Sequence, residues 1–137
     1  PVNLARSLVL LHRAGLIEIA ETDLEKKLST VKDIVKNPKN FKFIEVEGSQ
    51  TAHALNDADL AFGYPHYLKM SKAIDPKKAL FLDPMDKRFA ILFVTRKDYQ
   101  DKNQKLAKFV KTFQSSKKVQ AILDRDFGEG LWFAGWK

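Results

Sequence analysis

The chain has 137 residues, a formal charge of +7 and no cysteine. That length suits one packed core, and the missing Cys excludes disulfides, thiolate chemistry and Cys-based zinc sites. The longest apolar runs fall well short of the roughly 20 residues a membrane span needs, and no charged n-region precedes an apolar h-region, so we expect a soluble chain or a mature portion whose targeting segment is missing.

In chain order, Pro1 to Ser7 reads as a turn feeding a helix. Asn3 is the expected N-cap, because its side-chain oxygen can accept from an orphaned backbone N–H. Arg6 falls in the first turn, where a cation opposes the helix macrodipole. On these residues alone the plainer reading is a capped surface helix with one solvated Arg. Leu4, Leu8, Leu11 and Leu16, with Val9 and Ile17, keep helical spacing up to Gly15, a C′ glycine. Ser29 or Thr30 caps a second short helix around Val31 to Val35, which Asn37-Pro38 ends, since the residue before Pro is pushed out of the α region.

Phe41 to Glu47 alternates as a strand does, with Phe43 and Glu45 on one face and Ile44 and Val46 on the other. A short helix near Thr51 to Leu55 follows. Asp59 to Phe62 is a compact apolar strand ending at Gly63, and Tyr64-Pro65-His66-Tyr67 is a loop or helix start. A second apolar run, Ala79 to Leu82, comes after Asp75-Pro76. Phe89 to Val94 reads as the most strongly buried strand, apolar on both faces like a central strand of an α/β sheet. Two helices close the chain, one with Leu106, Phe109, Val110 and Phe113, the other with Val119, Ile122 and Leu123. The tail from Phe127 to Trp136 is aromatic and glycine-rich.

Strands separated by helices argue for an α/β chain with a largely parallel sheet. The turn Asp83-Pro84-Met85-Asp86 is the one division between structural parts. Lys102, Lys105, Lys108 and Lys111 advance by threes, and Lys117 and Lys118 follow on the last helix, which makes a broad solvated flank and not a narrow binding stripe. A basic chain raises nucleic acid as a partner, but no docking motif supports it, and none is expected.

Catalytic patterns are missing. There is no Gly-x-Ser-x-Gly elbow, no Walker loop and no Gly-x-Gly-x-x-Gly after a strand. His12, His53 and His66 lack the i, i+4 spacing that sets two ligands on one helical face, so each reads as a packed or surface His and no metal or cofactor is expected. Glu45 and Glu47 share a strand face, but nothing nearby would raise one pKa, and they read as solvent-facing. The chain is not read as an enzyme. Tyr64, His66 and Tyr67 lie just past a strand's C-terminal end, where α/β folds place ligands. Two phenols, an imidazole and a Pro-stiffened backbone suit the walls of a small amphipathic site. A strand-to-helix turn with its aromatics packed inward is the equal alternative.

Certain stretches hold their order and spacing over nearly the whole chain. They are Asn3-Leu4-Ala5-Arg6-Ser7-Leu8-Val9-Leu10-Leu11, Asn37-Pro38-Lys39-Asn40 leading to Glu45-Val46-Glu47, then Gln50, Leu55, Asp57 and Ala58. Val94-Thr95-Arg96, Lys108-Phe109-Val110, Gln114-Ser115 and Gly135-Trp136 follow. Together they resemble the NlpA lipoprotein family, the methionine-binding receptors of bacterial ABC importers. The resemblance implies a type II periplasmic binding protein, α/β, with two lobes joined by crossing segments. Residues 1–84 would be the second lobe, complete. Residues 85–137 would be the returning part of the first lobe with its C-terminal helices.

On that plan the chain is a C-terminal fragment lacking the N-terminal half of the first lobe, which exposes apolar sheet surface and leaves self-association open. The resemblance also implies a small amino acid ligand, methionine or a relative, held by its carboxylate. Asn3 and Arg6 fall on the family's carboxylate-binding positions, and a guanidinium there suits bidentate recognition. Tyr64, His66 and Tyr67 would line the opposite side.

The implied partners are the permease and ATPase subunits of an ABC transporter, and the implied location is the periplasm or cell envelope, reached through a lipid anchor this sequence does not contain. Family members carry an Asn in the loop that here reads Tyr64 to Tyr67 and another near Ile91. A site that loses such hydrogen-bond partners changes its preference, so a different ligand is one expectation. A ligand-free interaction or surface lipoprotein, contacting protein or membrane through a basic aromatic surface, is the alternative function.

Overall fold

The computed structural model describes residues 1–136. They form two compact units, 1–63 with 80–83 and 64–79 with 84 onward.

The first unit is organised by helix α1 (Val2–Arg13). Ala5, Leu8 and Val9 recur at helical spacing on its inner face and are buried with Ile17 and Ile19, while Leu4, Leu11, Leu24, Ile34, Phe41 and Phe43 pack around them. The helix begins earlier than Asn3 predicts. Pro1 is the N-cap residue without a side-chain cap bond, and its carbonyl accepts from the Ala5 N–H at 3.0 Å. Asn3 therefore sits inside the first turn and is exposed. Gly15 does follow the helix end as a left-handed residue, with φ of 71°.

Strand β1 (Glu18–Ile19) pairs antiparallel with β2 (Ile34–Lys36), opposing Ile19 to Ile34 and Glu18 to Lys36 across an irregular step. The second pairing is a cross-strand ion pair at 2.6 Å, and the Glu18 carboxylate raises the Lys36 pKa, by hydrogen bonding first and charge second. The expected helix around Val31 to Val35 is a single 3-10 turn, Val31–Asp33, before β2. Thr30 and Asp33 close a capping box there, and the β-branched Ile34-Val35 pair leaves for the strand. Asn37 shapes the next turn. Its amide donates to the Phe41 carbonyl and its carbonyl accepts from the Phe41 N–H, each at 2.9 Å, which carries the chain around Pro38 to Asn40 and delivers Phe41 to the core. Helix α2 (Thr51–Ala54) lies where expected, with Thr51 and Ala52 buried.

In the second unit, α3 (Pro65–Ser71) has Pro at its start, where the missing N–H costs nothing. Helices α4 (Lys105–Ser115) and α5 (Lys117–Leu123) carry the two apolar sets expected of the closing helices. The Asp101 carboxylate accepts from the Leu106 and Ala107 N–H groups at 3.2 and 2.9 Å, and Ser116 accepts from Val119 at 3.3 Å, so both helix starts are capped from outside. These backbone donors lower the Asp101 pKa. Phe113 joins Phe93, Phe109 and Trp136 in a ring cluster with centroid separations of 5.4, 6.4 and 6.1 Å. The six lysines of the predicted flank are all exposed.

The sheet is where expectation and structure part. The β1–β2 pair is the only ladder among the described residues, and it is antiparallel. Phe41 to Glu47, Asp59 to Phe62, Ala79 to Leu82 and Phe89 to Val94 enter no ladder. The run read as most buried is instead open: Ile91 is 99% exposed, as Leu80 is at 90%. Apolar patterning marks residues that gain from burial, but a strand also needs a neighbour presenting its own N–H and C=O edge. Among the described residues these runs meet no such neighbour.

Candidate functional site

Arg6 and Arg13 are seven residues apart on α1, two helical turns, so their Cβ atoms project from nearly the same face. Between them the chain returns Asp83. Arg6 Nη2 donates to Asp83 Oδ2 at 3.1 Å, and Arg13 Nη1 donates to Asp83 Oδ1 at 3.1 Å. Each carboxylate oxygen thus takes its own guanidinium. The Arg6 side chain is only 14% exposed and Asp83 21%, while Arg13 reaches further into solvent. Water screens the Arg6 pair less than an ordinary surface pair, and the bond ties the start of α1 to residues 80–83 within the same unit.

The packing of α1 fixes this arrangement. Ala5, Leu8 and Val9 face the core, which leaves positions 6 and 13 on the flank. Ser7 turns back onto its own helix, donating from Oγ to the Leu4 carbonyl at 2.7 Å. His12 is likewise structural: its Nδ1 accepts from the Ile19 N–H at 3.3 Å, joining α1 to β1. This is the packed-histidine reading. His53 is exposed.

The other predicted site residues belong to the second unit. Tyr64 precedes α3, and His66 and Tyr67 lie in its first turn. The His66 ring is 4.1 Å from Tyr67, 5.8 Å from Tyr64 and 5.3 Å from Phe127. All three predicted rings are half-buried, and burial lowers the His66 pKa, so near neutral pH the imidazole is uncharged, with one nitrogen donating and one accepting. The Asp124–Gly128 turn that supplies Phe127 is held by Trp132 Nε1 donating to Asp124 Oδ1 at 2.8 Å and by Lys69 Nζ donating to the Arg125 carbonyl. Gly128, at φ of 103°, closes it.

Arg13, Asp83 and Phe127 were missed as site neighbours. The seven-residue spacing of the arginines is readable on α1. Asp83 lies 77 residues beyond Arg6, and no local signal connects them. Glu45 and Glu47 are exposed, as expected of a solvent face. Among the described residues no three His, Asp or Glu side chains converge on a metal-sized site, and no helix is long and apolar enough to cross a membrane.

The family model described as NlpA lipoprotein matches residues 1–136. The D-methionine-binding lipoprotein MetQ of Escherichia coli O157:H7 is 37% identical over 99% of this chain and 49% of its own length. Outer membrane lipoprotein 1 of Mannheimia haemolytica is 34% identical over 99% of this chain and 47% of its own. Among solved structures, a crystal structure of the methionine-binding protein MetQ matches with a TM-score of 0.71 and 34% identity, covering 93% of this chain and 52% of that one. The fold is that of a periplasmic binding protein. The chain spans about half the length of the relatives it matches. The MetQ relative and the solved MetQ structure are both named as methionine-binding proteins.

Proposed function

The chain belongs to the NlpA lipoprotein family, and on that premise we propose that it serves as the substrate-binding component of an ABC importer, taking methionine or a related small amino acid or peptide by its carboxylate. The observation that carries this reading is Arg6, a largely buried guanidinium whose Nη2 already engages a carboxylate oxygen at 3.1 Å. Charge-assisted bonds of this type are short, strong and geometrically selective. Arg6 takes the ligand carboxylate and Asn3, one turn earlier on α1, adds a hydrogen bond. Tyr64, His66 and Tyr67 contribute ring contacts to the ligand. On this reading residues 1–84 form a lobe and residues from 85 onward the returning part of its companion. The partners are a permease and an ATPase, and the full-length form is held at the cell envelope by a lipid anchor.

Isothermal titration with L- and D-methionine, and with methioninol, which lacks the carboxylate, tests the assignment. Wild type prefers the carboxylate-bearing ligands. Arg6→Gln loses roughly 1.5–3 kcal/mol of their binding, the worth of a hydrogen bond to a charged group. Equal affinity of wild type and Arg6→Gln for methionine sinks it.

A further inference from the structure

We propose that Asp83 is a tethered competitor for the ligand carboxylate: it pairs with both Arg6 and Arg13, and yields Arg6 while keeping Arg13 when a ligand carboxylate enters. The inference rests on the preceding assignment of Arg6. Its own ground is the geometry of the triad. One Asp83 oxygen faces Arg6 and the other faces Arg13, both at 3.1 Å. A single carboxylate is thus shared by two guanidiniums, and only one of these is shielded from water.

Loss of the Arg6 bond leaves Asp83 with a cation still in place, so exchange does not strand a charge. The entering carboxylate restores the same hydrogen-bond type at Arg6 that Asp83 gives up. Apparent affinity is then the intrinsic affinity reduced by the fraction of molecules in which Asp83 holds Arg6. Asp83 becomes a determinant of affinity without touching the ligand, and Arg13 a positioning residue that makes the exchange inexpensive.

Opposite signs are expected for the two neighbours. Asp83→Asn keeps the size and one acceptor oxygen but removes the charge and sets an NH2 donor in place of the other oxygen, so it holds Arg6 less firmly and should bind methionine on the order of three- to tenfold more tightly. Arg13→Gln leaves a displaced Asp83 uncompensated and should bind more weakly. Neither change should move methioninol binding, because that probe does not contest Arg6. A purely structural triad would weaken binding in both variants, for both probes alike. Titrating wild type, Asp83→Asn, Arg13→Gln and Arg6→Gln with methionine and methioninol, with circular dichroism to confirm folding, separates the outcomes. Tighter binding by Asp83→Asn with weaker binding by Arg13→Gln, confined to methionine, supports the exchange. Unchanged or weaker binding by Asp83→Asn, while Arg6→Gln still loses methionine affinity, overturns the exchange and leaves the receptor assignment standing. Absence of carboxylate-dependent binding in every protein, Asp83→Asn included, removes the receptor assignment and the exchange with it. Should Asp83→Asn fail to fold, Asp83→Ser in the same titration carries the decision.

Discussion

Leu8→Ala and Ile91→Ala delete similar amounts of hydrocarbon from two residues that look alike in sequence, each central in an apolar run. Their surroundings differ. Leu8 is 1% exposed, against Val9, Ile17 and Ile19; Ile91 is almost wholly in solvent. Removing three carbons from the buried site forfeits about 2.4 kcal/mol at roughly 0.8 kcal/mol per methylene, and the unfilled cavity brings the expected loss to about 2–5 kcal/mol. At Ile91 there is no burial to forfeit, and the change should stay within about 0.5 kcal/mol. Chemical denaturation of the 137-residue chain, with equal m-values required for the comparison, measures both. For a chain of this size the melting temperature should fall on the order of 10 °C for Leu8→Ala and scarcely at all for Ile91→Ala. A loss at Ile91 as large as that at Leu8 would refute the reasoning, since it would mean that 89–94 is covered in solution.

Two further outcomes concern local chemistry. The Asp33 carboxyl is lowered from 3.8 to about 2, chiefly by its hydrogen bond from Lys27, then by the Thr30 N–H and hydroxyl. With the folded value below the unfolded one, its contribution is fully present above pH 4 and drains away as pH falls toward 2. Urea midpoints at pH 5 and pH 2.5 should therefore drop further in wild type than in Asp33→Asn, and parallel drops would contradict the assignment. Gly15 has open space where a Cβ would be placed but a φ of 71°, so Gly15→Ala should cost about 1 kcal/mol through the backbone alone. Gly15→Asn should cost less, since Asn tolerates this region; equal melting of all three proteins would show that the turn relaxes.

How much was legible depended on the range of the interaction. Sequence alone determined α1 with Leu8 and Val9 in its apolar set, the glycine that ends it, the apolar residues of α4 and α5, the family, and the basic outer flank; that Ala5 is buried beside Leu8 and Val9 came from the structure. Helical bonds and the i, i+4 stripe are local, so periodicity reports them directly. The helix starts two residues before the Asn3 reading, because Pro1 takes the N-cap position and its carbonyl accepts the first helical N–H, from Ala5. Sheets behave differently. Phe89 to Val94 has the composition of a central strand, yet strand formation is decided by a partner edge far away in the chain, and composition cannot say whether one is there. The Arg6–Asp83–Arg13 triad lies at the same limit. Its arginines are readable as a two-turn spacing on one helix face. Their shared carboxylate is not, because only folding brings a residue 77 positions away to within hydrogen-bonding distance.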